Sequence, residues 1–133
     1  MPIEVSFTGY KHFLKTYYDH GLLPSVTKGI YGEPLTRRNR TLEHLIPHSQ
    51  NGPTSLWNLA LASARKNNDR GCRPLKEVLS QKHLEDYALQ FEKVNLKKLW
   101  GIRYILDLLQ MGREQGVITG PSKLDRFKLD VLV

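Results

Sequence analysis

The stretch TLEHLIPHSQNGPTSLWNLALASARKNNDRG, residues 41–71, contains two short apolar runs from which the centre of the fold can be predicted. The first run, Leu42 to Ile46, predicts a strand that ends at Pro47, because proline has no amide proton to offer a strand ladder. The second run, Leu56 to Ala62, predicts another short strand. Between the runs, residues 48–55 read as a loop in which Asn51-Gly52 is typical of a turn. We therefore expect a hairpin.

A helix is predicted directly after the second strand. Ser63 suits the N-cap, where a hydroxyl accepts from an exposed amide of the first turn, and Gly71 suits the left-handed position after a helix. If the hairpin packs on this helix, the end of the first strand and the middle of the helix face one shallow pocket. That packing would place His44 and Asn67 at the same pocket.

Apolar spacing predicts further helices on both sides. A three- and four-residue spacing of large apolar side chains predicts an N-terminal helix over residues 6–20, followed by a turn-rich linker. Residues 74–116 are expected to be helical, with a start at Pro74, a break near Ser80 or Gln81, and a last helix capped by Asn95 and ending around Gly112 or Gly116. The apolar stripe of that last helix is wide enough to serve the core or to bury a contact between subunits, so a homodimer stays open.

Composition indicates one compact domain over residues 1–133, since 40% of the residues are hydrophobic and 25% are charged. Cys72 is the single cysteine, which excludes an intramolecular disulfide and a cysteine-rich zinc site. We find no secretory signal pattern and no apolar stretch of membrane-spanning length. The expectation is a soluble intracellular protein, cytoplasmic or nucleoid-associated, without a membrane partner.

Positive charge is concentrated in the middle of the chain. The net charge is +7, and residues 34–76 hold eight Lys or Arg against two acidic residues. A basic segment in an otherwise almost neutral chain is expected when the partner is a polyanion, and it favours a nucleic acid over a membrane surface. The predicted nucleic-acid contacts are Arg37, Arg38, Arg40, His48, Arg65, Lys66, Arg70 and Arg73.

The side chains around the predicted pocket suit phosphodiester hydrolysis. Glu43 offers a carboxylate oxygen and Asn67 a carboxamide oxygen, the ligands that Mg²⁺ or Mn²⁺ prefer. His44 has a ring nitrogen that can accept a proton from water near neutral pH. Arg70 shares a helix face with Asn67 and could bind a phosphate oxygen.

These residues stand at the spacing of a known motif. Glu43-His44-Leu45-Ile46-Pro47, Asn51-Gly52, Asn58-Leu59, Asn67 and Arg70-Gly71 resemble the HNH nuclease motif in its H-N-N form, as found in CRISPR effector nucleases and small phage nucleases. The resemblance implies an α+β fold with a ββα-metal core over about residues 35–73. The N-terminal helix and the C-terminal helical extension would flank that core.

The resemblance also implies roles for single residues. His44 would be the general base, Glu43 and Asn67 would hold one divalent metal, and Asn58 would bond backbone across the loop so that His44 is held in place. The catalytic residues would then be His44, Asn58 and Asn67, and the metal would be Mg²⁺ first, with Mn²⁺ or Ni²⁺ as alternatives. The implied substrate is duplex or branched DNA, cut to leave 5′-phosphate and 3′-hydroxyl ends.

The sequence departs from the family pattern at two places. Many members have Asp at the position of Glu43, and many carry Cys-x-x-Cys where this chain has Ser63 and Lys66, so no structural zinc is expected.

The first alternative function is a nucleic-acid-binding module that keeps the fold but does not cut. The second is a subunit of a larger DNA-processing complex that uses the wide C-terminal helix as its contact.

Overall fold

The computed structural model describes residues 26–92 and 100–128, and within them the protein is a small α+β protein. The elements are β1 (Arg40–His44), β2 (Leu59–Ser63), α1 (Ala64–Arg70), α2 (Leu75–Val78), α3 (Gln81–Leu89) and α4 (Trp100–Glu114), with 3₁₀ turns at His48–Gln50, Leu56–Asn58 and Lys123–Arg126. The helix expected over residues 6–20 and the cap expected at Asn95 lie outside the described residues.

The two strands form an antiparallel hairpin whose register runs from Arg40 opposite Ser63 to His44 opposite Leu59. Both strand predictions were displaced along the chain. β1 ends at His44 rather than Ile46 because the chain bends after His44, and the amide of Ile46 is taken by the side chain of Asn58. β2 begins at Leu59 because the three preceding residues form a 3₁₀ turn instead of a strand.

Helix α1 follows β2 without a loop, and both of its predicted ends are confirmed. The hydroxyl of Ser63 accepts from the amide of Lys66 at 3.2 Å, which satisfies one of the exposed amides of the first turn. Gly71 follows the helix at φ 58°, a positive value that residues other than glycine rarely adopt, but its ψ of −131° lies outside the left-handed helical region that was predicted.

Successive side chains of β1 point to opposite faces of the hairpin, and α1 packs on the face that carries Thr41 and Glu43. Asn67 donates to the Thr41 hydroxyl at 3.3 Å and to the Leu42 carbonyl at 3.0 Å. One turn later, Arg70 lies 3.6 Å from the carboxylate of Glu43. Thr41 and Glu43 of the strand thus contact Asn67 and Arg70 of the helix, respectively.

The hydrophobic core lies between β2 and the helices α3 and α4. Leu59 and Leu61 are fully buried, and their backbone groups are bonded by tyrosine hydroxyls. Tyr104 of α4 donates to the carbonyl of Leu59 at 2.6 Å, and the amide of Leu61 donates to the hydroxyl of Tyr87 of α3 at 3.0 Å. Because buried backbone groups need partners, these two tyrosines attach the helices to β2.

The helices after α1 agree with several sequence expectations. α2 begins after Pro74, and the predicted break is confirmed at Ser80, whose hydroxyl caps α3 by accepting from His83 at 3.1 Å. α4 ends at Glu114, between the two predicted stop positions. Over residues 26–92 and 100–128, none of the helices combines the length and apolarity needed to cross a bilayer. A homodimer contact through α4 stays a prediction.

Candidate active site

A shallow cleft lies where the end of β1 meets helix α1. Its volume is about 410 Å³, and its walls include Glu43, His44, His48, Asn67, Arg70 and Cys72. The residues that the sequence predicted to supply the carboxylate, the imidazole and the carboxamide therefore line one cleft. A hairpin packed on the following helix was expected to bring His44 and Asn67 to one pocket in this way.

The imidazole of His44 is half-buried in this cleft. Its Nε2 lies 3.1 Å from the hydroxyl oxygen of Thr54, and its ring stands edge-on to that of His48 with 5.9 Å between centroids. Burial lowers the pKa of His44, and the nearby His48 lowers it further. The ring is therefore neutral at physiological pH and keeps one nitrogen that can accept a proton.

The carboxamide of Asn67 is held from one side only. Its amide nitrogen makes both bonds to β1, to the Thr41 hydroxyl and to the Leu42 carbonyl. Because both of these bonds use the amide nitrogen, the carboxamide oxygen can coordinate a cation. Asn68, the neighbouring residue that could rival Asn67, is exposed.

The carboxylate of Glu43 is 5% exposed and has a partner on each oxygen. Oε2 accepts a bond of 2.6 Å from the hydroxyl of Tyr31, and Oε1 lies 3.6 Å from Nη1 of Arg70. Burial raises the pKa of Glu43, while the bond from Tyr31 and the charge of Arg70 act in the opposite direction. Burial, with Glu43 nearby, raises the pKa of Tyr31 far above its usual range, so the phenol stays a donor.

Arg70 is buried and bonded to backbone, which does not fit the phosphate contact predicted for it. It is 3% exposed, and its guanidinium donates to the carbonyls of His44 at 3.0 Å, Leu45 at 2.9 Å and Arg73 at 3.0 Å. The guanidinium of Arg73 in turn donates to the carbonyls of Asp69 and Arg70 at the end of α1. Both arginines therefore stabilise the fold around the cleft, and a phosphate would have to compete with these bonds.

Asn58 lies behind the cleft and is fully buried. Its side chain accepts from the amide of Ile46 at 2.7 Å and donates to the carbonyls of Ile46 and Pro53 at 3.1 and 2.9 Å. A Cβ on Gly52 would collide with the carbonyl oxygen of Ile46, so only glycine fits where the loop passes this point. The loop-bridging bonds expected of Asn58 are present, while its part in catalysis stays a prediction.

The other predicted nucleic-acid contacts differ in exposure. Arg37 and Arg38 are exposed in the turn before β1, Arg65 and Lys66 are exposed on α1, Arg40 is half-buried, and His48 is exposed at the cleft. A 2.7 Å bond from the amide of Ala64 to the carbonyl of Asn39 ties that turn to the start of α1. The exposed arginines of the turn thus lie at the opposite end of β1 from His44, and DNA contact by these residues stays a prediction.

The donor set suits a hard divalent cation bound with part of its water shell. Among residues 26–92 and 100–128, no three His, Cys, Asp or Glu side chains come together as a metal-binding group. Glu43 and Asn67 can supply one carboxylate and one carboxamide oxygen, and Mg²⁺ is commonly bound through one or two such ligands together with water and substrate phosphate. The Arg70 guanidinium, 3.6 Å from Oε1 of Glu43, reduces the attraction of that carboxylate for a cation.

Two residues that contact the candidate site were not predicted from the sequence. Thr54 was placed in a loop and Tyr31 in a linker, yet each makes a side-chain bond to a predicted site residue. Both bonds depend on loops folding back on β1, so no periodic pattern signals them. An aromatic residue between Gly29 and Gly32 is the one local hint that this linker has a packed position.

Comparison of the chain with protein-family models, with curated proteins and with solved structures gives no match. The resemblance to the HNH motif stays a prediction from the spacing of the motif residues.

Proposed function

We propose that this protein is a metal-dependent endonuclease of the HNH type, in which the hairpin and α1 form a ββα-metal core. The observation that carries the proposal is that His44 and Asn67 line one cleft, with the carboxylate of Glu43 in the same wall. A proton acceptor and two hard oxygen donors beside a basic surface are what hydrolysis of a phosphodiester requires.

In this proposal His44 activates the attacking water. In the tautomer whose Nε2 donates to the Thr54 hydroxyl, 3.1 Å away, the neutral ring presents Nδ1 as the nitrogen that takes the proton. The water oxygen attacks phosphorus while the bond from phosphorus to the 3′ oxygen breaks. The departing 3′ oxygen takes a proton from solvent, and the products carry 5′-phosphate and 3′-hydroxyl ends.

Glu43 and Asn67 are the residues that would hold the divalent ion, Mg²⁺ first and Mn²⁺ or Ni²⁺ as alternatives. When bound, such an ion neutralises charge on the phosphate and stabilises the leaving oxygen. The chain contributes by fixing both donors, Asn67 through its two bonds to β1 and Glu43 through Tyr31 and Arg70.

DNA is the proposed substrate because exposed cations lie on α1, which forms one wall of the cleft, and on the turn at the far end of β1. Arg37, Arg38, Arg65 and Lys66 are exposed and can meet backbone phosphates without reading bases. Contacts of this kind give an affinity that falls steeply with salt and depends little on sequence.

A non-cutting nucleic-acid-binding module is the second candidate, and one observation favours it. Glu43 already has a cation 3.6 Å away and a hydroxyl on its other oxygen, as expected of a carboxylate whose purpose is structural. The two candidates share the basic surface and differ in whether metal-dependent cleavage occurs.

A plasmid-nicking assay separates the candidates. The full chain, His44→Ala, Asn67→Ala and His83→Ala are incubated with supercoiled DNA in Mg²⁺, Mn²⁺, Ni²⁺ or EDTA. His83 is the matched control because it is an exposed histidine outside the cleft. We expect metal-dependent nicking that falls at least about a hundredfold in His44→Ala and Asn67→Ala and changes less than about twofold in His83→Ala.

Two results would count against the nuclease. Salt-sensitive DNA binding without metal-dependent nicking would favour the module, and nicking that survives EDTA or the loss of His44 would overturn the proposed site.

A further inference from the structure

We infer that Tyr31 is a positioning residue that orients the carboxylate of Glu43 toward the metal. This inference rests on the proposed function and assigns a role to a segment, residues 26–36, that the HNH-like motif does not include. The effect of Tyr31 on metal binding should pass through Glu43 alone.

The contact itself is short and shielded from solvent. Tyr31 is 7% exposed, and its hydroxyl donates to Oε2 of Glu43 at 2.6 Å. That length is typical of a hydroxyl bonded to a carboxylate. With Arg70 at 3.6 Å from Oε1, each oxygen of Glu43 has its own partner, and rotation of the carboxylate would disturb both contacts.

The backbone around Tyr31 is anchored so that the hydroxyl has a defined place. The amide of Ile30 donates to the carbonyl of Leu61 on β2 at 2.9 Å. Glu33 accepts from the amide of Tyr31 at 3.1 Å, and its other oxygen accepts from the amide and hydroxyl of Ser63 at 2.9 and 3.0 Å. The loop is thus bonded to β2 and to the cap of α1, the two elements that frame the site.

The side chain of Glu43 needs such a partner. A glutamate side chain has three rotatable bonds, so its carboxylate can take several positions. A bond from a fixed phenol selects one of them. Partners that orient metal ligands typically change metal affinity 10- to 100-fold when they are removed.

The test measures binding of Mn²⁺ to the full chain without DNA, either by calorimetry or from the electron paramagnetic resonance signal of free Mn²⁺. Tyr31→Phe keeps the ring and removes the hydroxyl, and Tyr104→Phe is the control because it removes the hydroxyl of another buried tyrosine, one that bonds the core away from Glu43. Glu43→Gln and the double variant Tyr31→Phe/Glu43→Gln complete a double-mutant cycle. All measurements are made well below the melting temperature of each variant.

We expect Tyr31→Phe to weaken Mn²⁺ binding about tenfold, Tyr104→Phe to change it less than about twofold, and Tyr31→Phe to have no further effect in the Glu43→Gln background. Wild-type affinity in Tyr31→Phe, or an equal loss in the Glu43→Gln background, would overturn the inference while leaving the proposed function intact. A wild-type chain that binds no Mn²⁺ would overturn the proposed metal site, and the role of Tyr31 with it.

Discussion

Nη1 of Arg70 donates to the backbone carbonyl of His44 at 3.0 Å, so the last residue of α1 holds the last residue of β1. The same guanidinium bonds the carbonyl of Leu45 and lies 3.6 Å from Glu43. One buried cation thus connects the segment that carries the proposed base with the proposed metal ligand. The position of His44 depends on the helix as much as on the hairpin.

Replacing Arg70 with lysine is expected to lower both stability and nicking. A lysine ammonium is a single point and cannot reach the three carbonyls that the planar guanidinium bonds. We expect the free energy of unfolding to fall by about 2–4 kcal/mol, since bonds from charged groups contribute about 1.5–3 kcal/mol each and lysine keeps some of them. Urea unfolding measures this loss, and Arg65→Lys, at an exposed position of α1, is the control and should change stability by less than about 0.5 kcal/mol. A stability equal to that of wild type would show that the three bonds are dispensable.

Replacing Asn58 with alanine is expected to destabilise the loop that follows His44. The change removes three side-chain bonds and leaves the amide and carbonyl of Ile46 without their partner. Unsatisfied buried groups cost about 1–3 kcal/mol each, so the free energy of unfolding should fall by about 2–4 kcal/mol. Asn68→Ala, at an exposed position of α1, should change it by less than about 0.5 kcal/mol. Equal losses in the two variants would contradict a structural role for Asn58.

Helix ends that depend on neighbouring residues were predictable from the sequence, whereas strand ends that depend on a distant side chain were not. The cap at Ser63, the stop at Gly71 and the break at Ser80 depend on a few neighbouring residues, and all three are confirmed. The end of β1 was displaced because the side chain of Asn58 takes backbone groups of Ile46 that would otherwise continue the ladder, and the start of β2 was displaced by the 3₁₀ turn at residues 56–58.

The chemistry of a side chain can be inferred from its type, but its burial depends on tertiary packing. Arg70 was expected at a phosphate because arginine suits one, and the fold instead buries it against three carbonyls. Tyr31 reaches Glu43 only because the preceding residue, Ile30, is bonded to β2. Contacts of this kind need the folded chain.

Replacing Thr54 with valine is expected to slow cleavage without weakening DNA binding. Valine keeps the shape of threonine but removes the hydroxyl 3.1 Å from Nε2 of His44, the hydrogen-bond partner that orients the ring. The single-turnover rate at saturating DNA and metal should fall about tenfold, as is typical when the partner that orients a histidine is lost. Thr54→Ser keeps the hydroxyl and should stay within about threefold of wild type. Equal rates for the valine and serine variants would rule out this role.

Glu85 of α3 is expected to make stability depend on pH in the acidic range. Its Oε2 accepts from the Ser122 hydroxyl at 2.7 Å, the Lys123 amide at 2.9 Å and Gln81 at 3.2 Å, which attaches the C-terminal 3₁₀ turn to α3. Burial by itself raises the pKa of Glu85, but these bonds outweigh it and hold the pKa below its usual value. The charged carboxylate therefore binds fewer protons in the folded chain than in the unfolded one, and its contribution is lost as the pH falls.

Glu85→Gln tests this sign directly. At pH 7 the variant should lose about 1–3 kcal/mol of the free energy of unfolding, because a carboxylate acceptor of several bonds becomes a neutral amide. The difference from wild type should shrink as the pH falls below about 4.5, where the glutamate of the unfolded chain takes up its proton, and should vanish below the lowered pKa of the folded chain. Glu77→Gln, at an exposed glutamate of α2, should change stability by less than about 0.5 kcal/mol at either pH. A difference for Glu85→Gln that stays constant between pH 7 and pH 3 would show that packing, and not charge, holds the C-terminal turn against α3.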